Sequence, residues 1–101
     1  MVVFMLTAWY PFNKVTEINT RAMKYTKFPD YITKWRIFST ADGKDGIKTY
    51  NLIYVADDKV AEAEIFIVKL QQEFVDIDGY VYKIEPLMSI RDYQKLLALK
   101  L

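Results

Sequence analysis

"ITKWRIFSTADGKDGIKTYNLIYV", residues 32–55, decides the fold. Residues 32–40 are rich in β-branched and aromatic side chains, which suit a pleated, half-buried surface, and so are residues 47–55. The "ADGKDG" between them (41–46) carries two Asp/Gly turn signals, so the two strands form a hairpin. Lys34 and Arg36 alternate with Trp35 and Ile37 along the first strand. Charge on an edge strand opposes sheet-to-sheet aggregation, so the first strand is expected at an edge, with Trp35 in the core or an interface. A lone hairpin is marginal in water and needs further partners.

Those partners lie on both sides in the chain. Upstream, "VVFMLTAWY" (2–10) reads as a strand with apolar residues at both parities, the mark of a strand covered twice. Pro11 stops it, and Asn13 is the expected N-cap of a helix reaching about Tyr25. Val15, Ile18, Ala22 and Tyr25 share one face of that helix, and Glu17 sits near its positive end. "FPDY" (28–31) is a loop. Downstream, Asp57 or Asp58 is expected to cap a second helix running to about Phe74, with Val60, Ala63, Ile67, Leu70 and Phe74 as its apolar stripe. "DIDG" (76–79) turns into a fourth strand, "YVYKIEPLM" (80–88), where Pro86 cannot donate to a ladder and so favours an edge. Ser89 and Asp92 have the spacing of a capping box opening a third helix that carries Ile90, Tyr93, Leu96 and Leu97.

The expected fold is therefore α+β. It is a single domain, 1–101, of ferredoxin-like β-α-β-β-α-β order, with an antiparallel four-stranded sheet and a C-terminal helix. Two crossover helices cover one sheet face and leave the other bare. In a monomer the bare face should read polar, but here both parities are apolar: Val2, Phe4 and Leu6 against Val3, Met5 and Trp9, and Tyr50, Leu52 and Tyr54 against Ile47, Ile53 and Val55. A homodimer through the sheet face is the economical way to bury the second set.

Composition removes several functions. Fourteen basic residues balance thirteen acidic ones without a long run of either sign, so neither nucleic acid nor an anionic membrane is an expected partner. The third strand also lacks the basic-Gly-aromatic signature of RNA-binding sheets, having Asp45, Ile47 and Thr49 at its defining places. With no histidine and no cysteine, a Ser-His-Asp triad, a proximal-His haem and a cysteine-held metal are impossible, and no metal or cofactor is expected. "DGKDG" is too glycine-poor for a phosphate loop and too short for an EF-hand. "MVVFMLTAWYPF" lacks a basic leader and cleavage site and is too short to span a bilayer, so the expected location is cytoplasmic.

Four stretches carry a family resemblance: "AWYPFNK" (8–14), "DGKDGIK" (42–48), "YVADDKVAEA" (54–63) and "DIDGYVYKIEPL" (76–87). In this order the chain resembles small proteins of the dimeric α/β-barrel superfamily, and within it a small family of about this length with no assigned function. The resemblance implies two ferredoxin-like subunits closing a barrel. Superfamily members include cofactor-independent monooxygenases, lactone isomerases, polyketide cyclases and haem-degrading enzymes. Several of them use a histidine, which this chain lacks, and a shared fold does not carry a mechanism.

Site residues follow from polarity within apolar strands, because a buried polar group needs a partner or a ligand. Thr7, Trp9, Asn51, Lys83 and Glu85 are expected to point into the dimer interior and line a cavity. Lys83 and Glu85 have a plainer reading as solvated groups on an edge strand. Trp9, Tyr10 and Phe12 read first as packing, with Phe12 as a hydrophobic staple; Trp9 and Tyr10 must point to opposite faces. The expected function is a homodimeric α/β-barrel protein binding a small apolar molecule between the sheets. The alternative is a cofactor-independent monooxygenase, isomerase or cyclase, in which a buried Glu85 is the nearest base. A third reading is a structural interaction domain that uses its sheet edge or terminal helix.

Overall fold

β1 (Val2–Tyr10) lies inside the sheet. β3 (Ile47–Val55) pairs with it on one side, from Val2↔Val55 to Tyr10↔Ile47, and β4 (Val81–Leu87) on the other, from Val3↔Leu87 to Trp9↔Val81. β2 (Ile32–Ala41) closes the expected hairpin against β3. The strand order is β2-β3-β1-β4 and every pairing is antiparallel, which puts basic β2 and proline-bearing β4 at the edges. The protein, seen in a computed structural model, is described over residues 2–25 and 27–98, with the side chain of Leu96 outside that set. The expected place of Leu96 on the third helix's apolar side therefore falls outside the described residues.

Among the described residues, three α-helices complete the α+β fold: α1 (Val15–Ala22), α2 (Val60–Gln71) and α3 (Ile90–Ala98). The entries to α1 and α2 differ from expectation. Asn13 is not a cap but sits inside a 3₁₀ turn, Phe12–Lys14, led by Pro11 at φ −64°. Proline has φ preset and no N–H to satisfy, so it starts the turn, and its carbonyl accepts the Lys14 N–H at 3.0 Å. Asp57 and Asp58 likewise lie inside a 3₁₀ turn, Asp57–Lys59, led by Ala56. α1 and α2 each stop three residues early, where i→i+3 bonds such as Tyr25 N–H to Ala22 O and Phe74 N–H to Gln71 O tighten the last turn. At α3 the cap is as expected, with Ser89 Oγ accepting the Asp92 N–H at 3.1 Å.

α1 and α2 cover the face that carries the even residues of β1. Phe4, Leu6, Ile53, Val55, Ala63 and Ile67 form the main core, and Tyr10, Ile18, Phe74 and Ile77 form a second cluster at the α1 end. Each large side chain fully buried there contributes about 1.5–3 kcal/mol. β2 joins this core through a register shift between Ile32 and Lys34, which lets Ile32 and Trp35 face the same way although three residues apart.

Two glycines pack closely against the exit of β1. Gly46 (φ 133°) packs where a Cβ would meet the Tyr10 carbonyl oxygen at 2.1 Å, and Gly79 (φ 86°) where a Cβ would meet Pro11 Cγ at 2.5 Å. The hairpin and the turn before β4 both close on Tyr10-Pro11, and only glycine allows either approach. Phe12, by contrast, is 50% exposed and acts as no staple.

Candidate functional site

A cavity of about 230 Å³, open to solvent on one side past Phe28 and Ile37, lies between the covered sheet face and the helices of the one chain. The sheet supplies Leu6, Ala8 and Tyr10 from β1, Thr49 and Asn51 from β3, and Trp35 from β2. α1 supplies Ile18 and Ala22, α2 supplies Leu70 and Gln71, and Tyr25 and Phe28 close one side. Phe28 stacks on Trp35 with ring centres 4.8 Å apart and meets Phe66 edge-on at 6.1 Å, so the loop before β2 is pinned over the cavity by rings. Phe74, Tyr80 and Tyr10 form a second aromatic group on the far side.

Three polar pairs sit in these walls. Trp35 Nε1 donates to Asn51 Oδ1 at 2.9 Å, and Asn51 Nδ2 donates to the Leu6 carbonyl at 3.2 Å. The Tyr10 hydroxyl shares a hydrogen bond with Thr49 Oγ1, which also meets Ser39 Oγ, both at 3.2 Å. The Tyr80 hydroxyl donates to Gln71 Oε1. Burial, reinforced by Tyr10 and Tyr82, pushes the Tyr80 phenol well above its ordinary value. The Tyr25 phenol is raised as well, first by desolvation and then by Glu73 beside it. Both phenols therefore stay protonated at neutral pH and act as donors. Among the described residues that line the cavity, none is charged.

The structure separates the five expected site residues. Asn51 faces the helices and lines the cavity, 6% exposed. Thr7, Trp9, Lys83 and Glu85 lie on the opposite, open face of the sheet, since Thr7 pairs across to Lys83 and Tyr50, and Trp9 to Lys48. The expectation that all five share one interior is thus corrected for Asn51. In an antiparallel pair, residues directly opposite share a face, and Asn51 stands opposite Leu6, whose side chain is in the core. Thr7 is buried among its neighbours at 4% exposure. Lys83 and Glu85 pair with each other at 3.5 Å, with side chains 60% and 46% exposed on the β4 edge, so Glu85 is not the buried carboxylate considered for a base.

Several cavity residues escaped the sequence reading, chiefly Gln71, Tyr80 and Phe28. Gln71 did leave a signal. It follows Ala63 and Ile67 at four-residue steps, and all three are buried, so a polar side chain occupies the core stripe of α2. Phe28 left none, because its position depends on how the loop folds back.

The open face carries Val3, Met5, Trp9, Tyr50, Leu52 and Tyr54 in its centre, with cations laid over the rings. The Lys48 ammonium is 5.4 Å from the Trp9 ring centre and 5.0 Å from that of Tyr50. Among the described residues there is no group of three His, Cys, Asp or Glu placed to hold a metal ion, and no helix is long and apolar enough to cross a membrane. No protein-family model matches the chain, and no curated protein sequence matches it significantly.

Proposed function

We propose that this chain is a ferredoxin-like subunit that pairs as a homodimer through its open sheet faces, and that the sheet–helix cavity of each subunit binds a small, uncharged, largely apolar ring compound. The element order and the β2-β3-β1-β4 strand order support the fold. The uncharged aromatic cavity carries the ligand reading. Binding sites are typically apolar hollows with a few placed polar groups, and this one offers the side-chain amides of Asn51 and Gln71, each with two N–H donors. Its volume exceeds the roughly 150 Å³ hollow that admits benzene and falls below the usual range for drug-sized ligands. A one- or two-ring molecule with one or two acceptor groups fits that chemistry.

Binding is favoured over the monooxygenase, isomerase or cyclase alternative by what the walls lack. Proton abstraction needs a base poised near neutrality, and the titratable groups lining the hollow are phenols, two of them shifted upward. Glu85 lies on the other sheet face. The ligand belongs to each subunit's own hollow rather than to the space between two sheets, because Asn51 and the ringed walls are there.

Intrinsic fluorescence tests this. In a Trp9→Phe variant the remaining indole is Trp35, which lines the cavity. Titration with neutral one- and two-ring phenones and lactones should quench or shift Trp35 emission and raise the melting temperature, and carboxylate analogues should do neither. A panel with no spectral change, no thermal shift and no bound mass in native mass spectrometry would sink the ligand reading.

A further inference from the structure

α3 has a bare apolar side. Ile90 is 78% exposed, Tyr93 53% and Leu97 67%, and every described side chain of the helix is exposed. Helices shorter than about 12–15 residues are marginal alone in water, so nine residues require a surface to lie on. Among the described residues, the subunit's own body leaves this side uncovered. β4 leads straight to this helix: Leu87 stands opposite Val3 on the open sheet face, and only Met88 and Ser89 separate it from Ile90. The bare helix stripe starts where the bare sheet ends.

Shape and area point the same way. The radius of gyration is 15.4 Å, against about 13 Å for a compact domain of this length. The accessible surface is 7244 Å², against about 6,000 Å² for a folded monomer of this mass. The excess is larger than the roughly 800 Å² that each partner contributes to a standard stable interface.

We propose that α3 is an arm exchanged between two copies of this chain, with Ile90, Tyr93 and Leu97 of each copy seated on the other beside the contact between the open sheet faces. The arm rests on the dimer proposed above and adds to it. A twofold pairing makes the exchange reciprocal, so one operation buries both arms. Exposure of all three residues in the single subunit means that changing them leaves the subunit's core untouched.

Sedimentation equilibrium over a wide concentration range, on the full chain, tests the arm. An Ile90→Glu/Leu97→Glu double variant should keep the sheet signal in circular dichroism and weaken dimerisation at least about tenfold, since burying one such side chain corresponds to that factor or more. Leu52→Lys, on the open sheet face, is the control for the dimer itself. If the double variant dimerises like the wild type while Leu52→Lys does not, the exchanged arm is wrong and the sheet dimer stands. A wild type that stays monomeric throughout overturns both. Amine cross-linking in a mixture of ¹⁴N- and ¹⁵N-labelled chains gives a second readout: Lys95 links of mixed isotope support exchange, and links within one chain only overturn it.

Discussion

The two faces of the sheet come from the same four strands and the same alternation, yet they treat polar groups differently. On the helix-covered side the polar side chains are uncharged and tied in pairs: Tyr10 with Thr49, Trp35 with Asn51, Tyr80 with Gln71 of α2. Among the described residues, no buried side-chain nitrogen or oxygen lacks a partner. On the open face, buried Thr7 apart, the polar groups beside the rings are long and charged, with Lys34 over Tyr54, Arg36 over Phe38 and Lys48 over both Trp9 and Tyr50. A short buried polar group is satisfied only by a fixed partner. A lysine or arginine stem covers apolar surface while its charge stays in water. One face is thus completed by fixed partners within the chain, and the other is screened by long cationic side chains laid over its rings.

The sharpest way to break this contrast is to truncate one large side chain on each face. Phe4 is 1% exposed at the centre of the covered face, and Phe4→Ala should cost about 3–5 kcal/mol at every protein concentration. Leu52, on the open face opposite Met5, is partly exposed. Leu52→Ala should cost little in dilute solution, and if the proposed dimer forms, its loss should grow with protein concentration. Urea unfolding at two widely spaced protein concentrations separates the cases. Equal losses in dilute solution would erase the distinction between the faces.

A smaller effect tests the polar pairs. Asn51→Leu keeps the volume but leaves the Trp35 indole N–H without its acceptor and removes a donor from the Leu6 carbonyl. A stranded buried group costs about 1–3 kcal/mol, so the variant should be less stable despite its more apolar side chain. A neutral or stabilised Asn51→Leu would mean that the wall pairs are dispensable.

The contrast was half legible in the sequence. Element order, the hairpin, both edge strands and the Ser89 cap could be read because local chemistry decides them: Asp-Gly turns, alternation, Pro86, a hydroxyl three residues before an acidic residue. Strand alternation also correctly set Trp9 against Tyr10. What failed was deciding which parity faces the helices. Both parities of β1 and β3 are apolar, so periodicity alone cannot orient the sheet, and Asn51 went to the wrong side. The helix entries failed for a different reason. Asn13 and Asp57 are good caps by residue type, but Pro11 and Ala56 reach the turn first and close it with i→i+3 geometry.

Alkaline titration asks whether the covered face is dry around Tyr80. Its folded pKa lies above the ordinary tyrosine value of 10.0, mainly through burial. A raised acid group binds more protons folded than unfolded, so its contribution is fully present below that ordinary value and is lost as the pH rises past it. Wild-type stability should therefore fall above about pH 10, and Tyr80→Phe should flatten that fall while losing stability at neutral pH because Gln71 has lost its donor. An alkaline limb of the same slope in both proteins would place the Tyr80 hydroxyl in water.

The smallest effect belongs to the strap outside the covered face. Arg21 of α1 reaches the turn before β4, meeting Asp76 Oδ1 at 2.6 Å and Oδ2 at 3.2 Å, the Glu73 carbonyl at 2.8 Å and Glu17 at 2.7 Å. The Arg21 hydrogen bonds hold the Asp76 carboxyl below its ordinary value of 3.8. A lowered carboxylate binds fewer protons folded than unfolded, so its support is present above 3.8 and drains away as the pH falls through the lower folded value. The side chain of Asp76 is 68% exposed, and exposed pairs are screened by salt and contribute little. Asp76→Asn should therefore lower the melting temperature only slightly at pH 7, and the gap from wild type should close both in strong salt and on the acid side of pH 4. Arg21 keeps Glu17 and the Glu73 carbonyl in that variant, so α1 stays in place and the ligand response of Trp35 should not change. If Asp76→Asn did alter that response, the hollow would owe its shape to this outer strap as well as to the packed rings, and the covered face would be less self-sufficient than its buried core indicates.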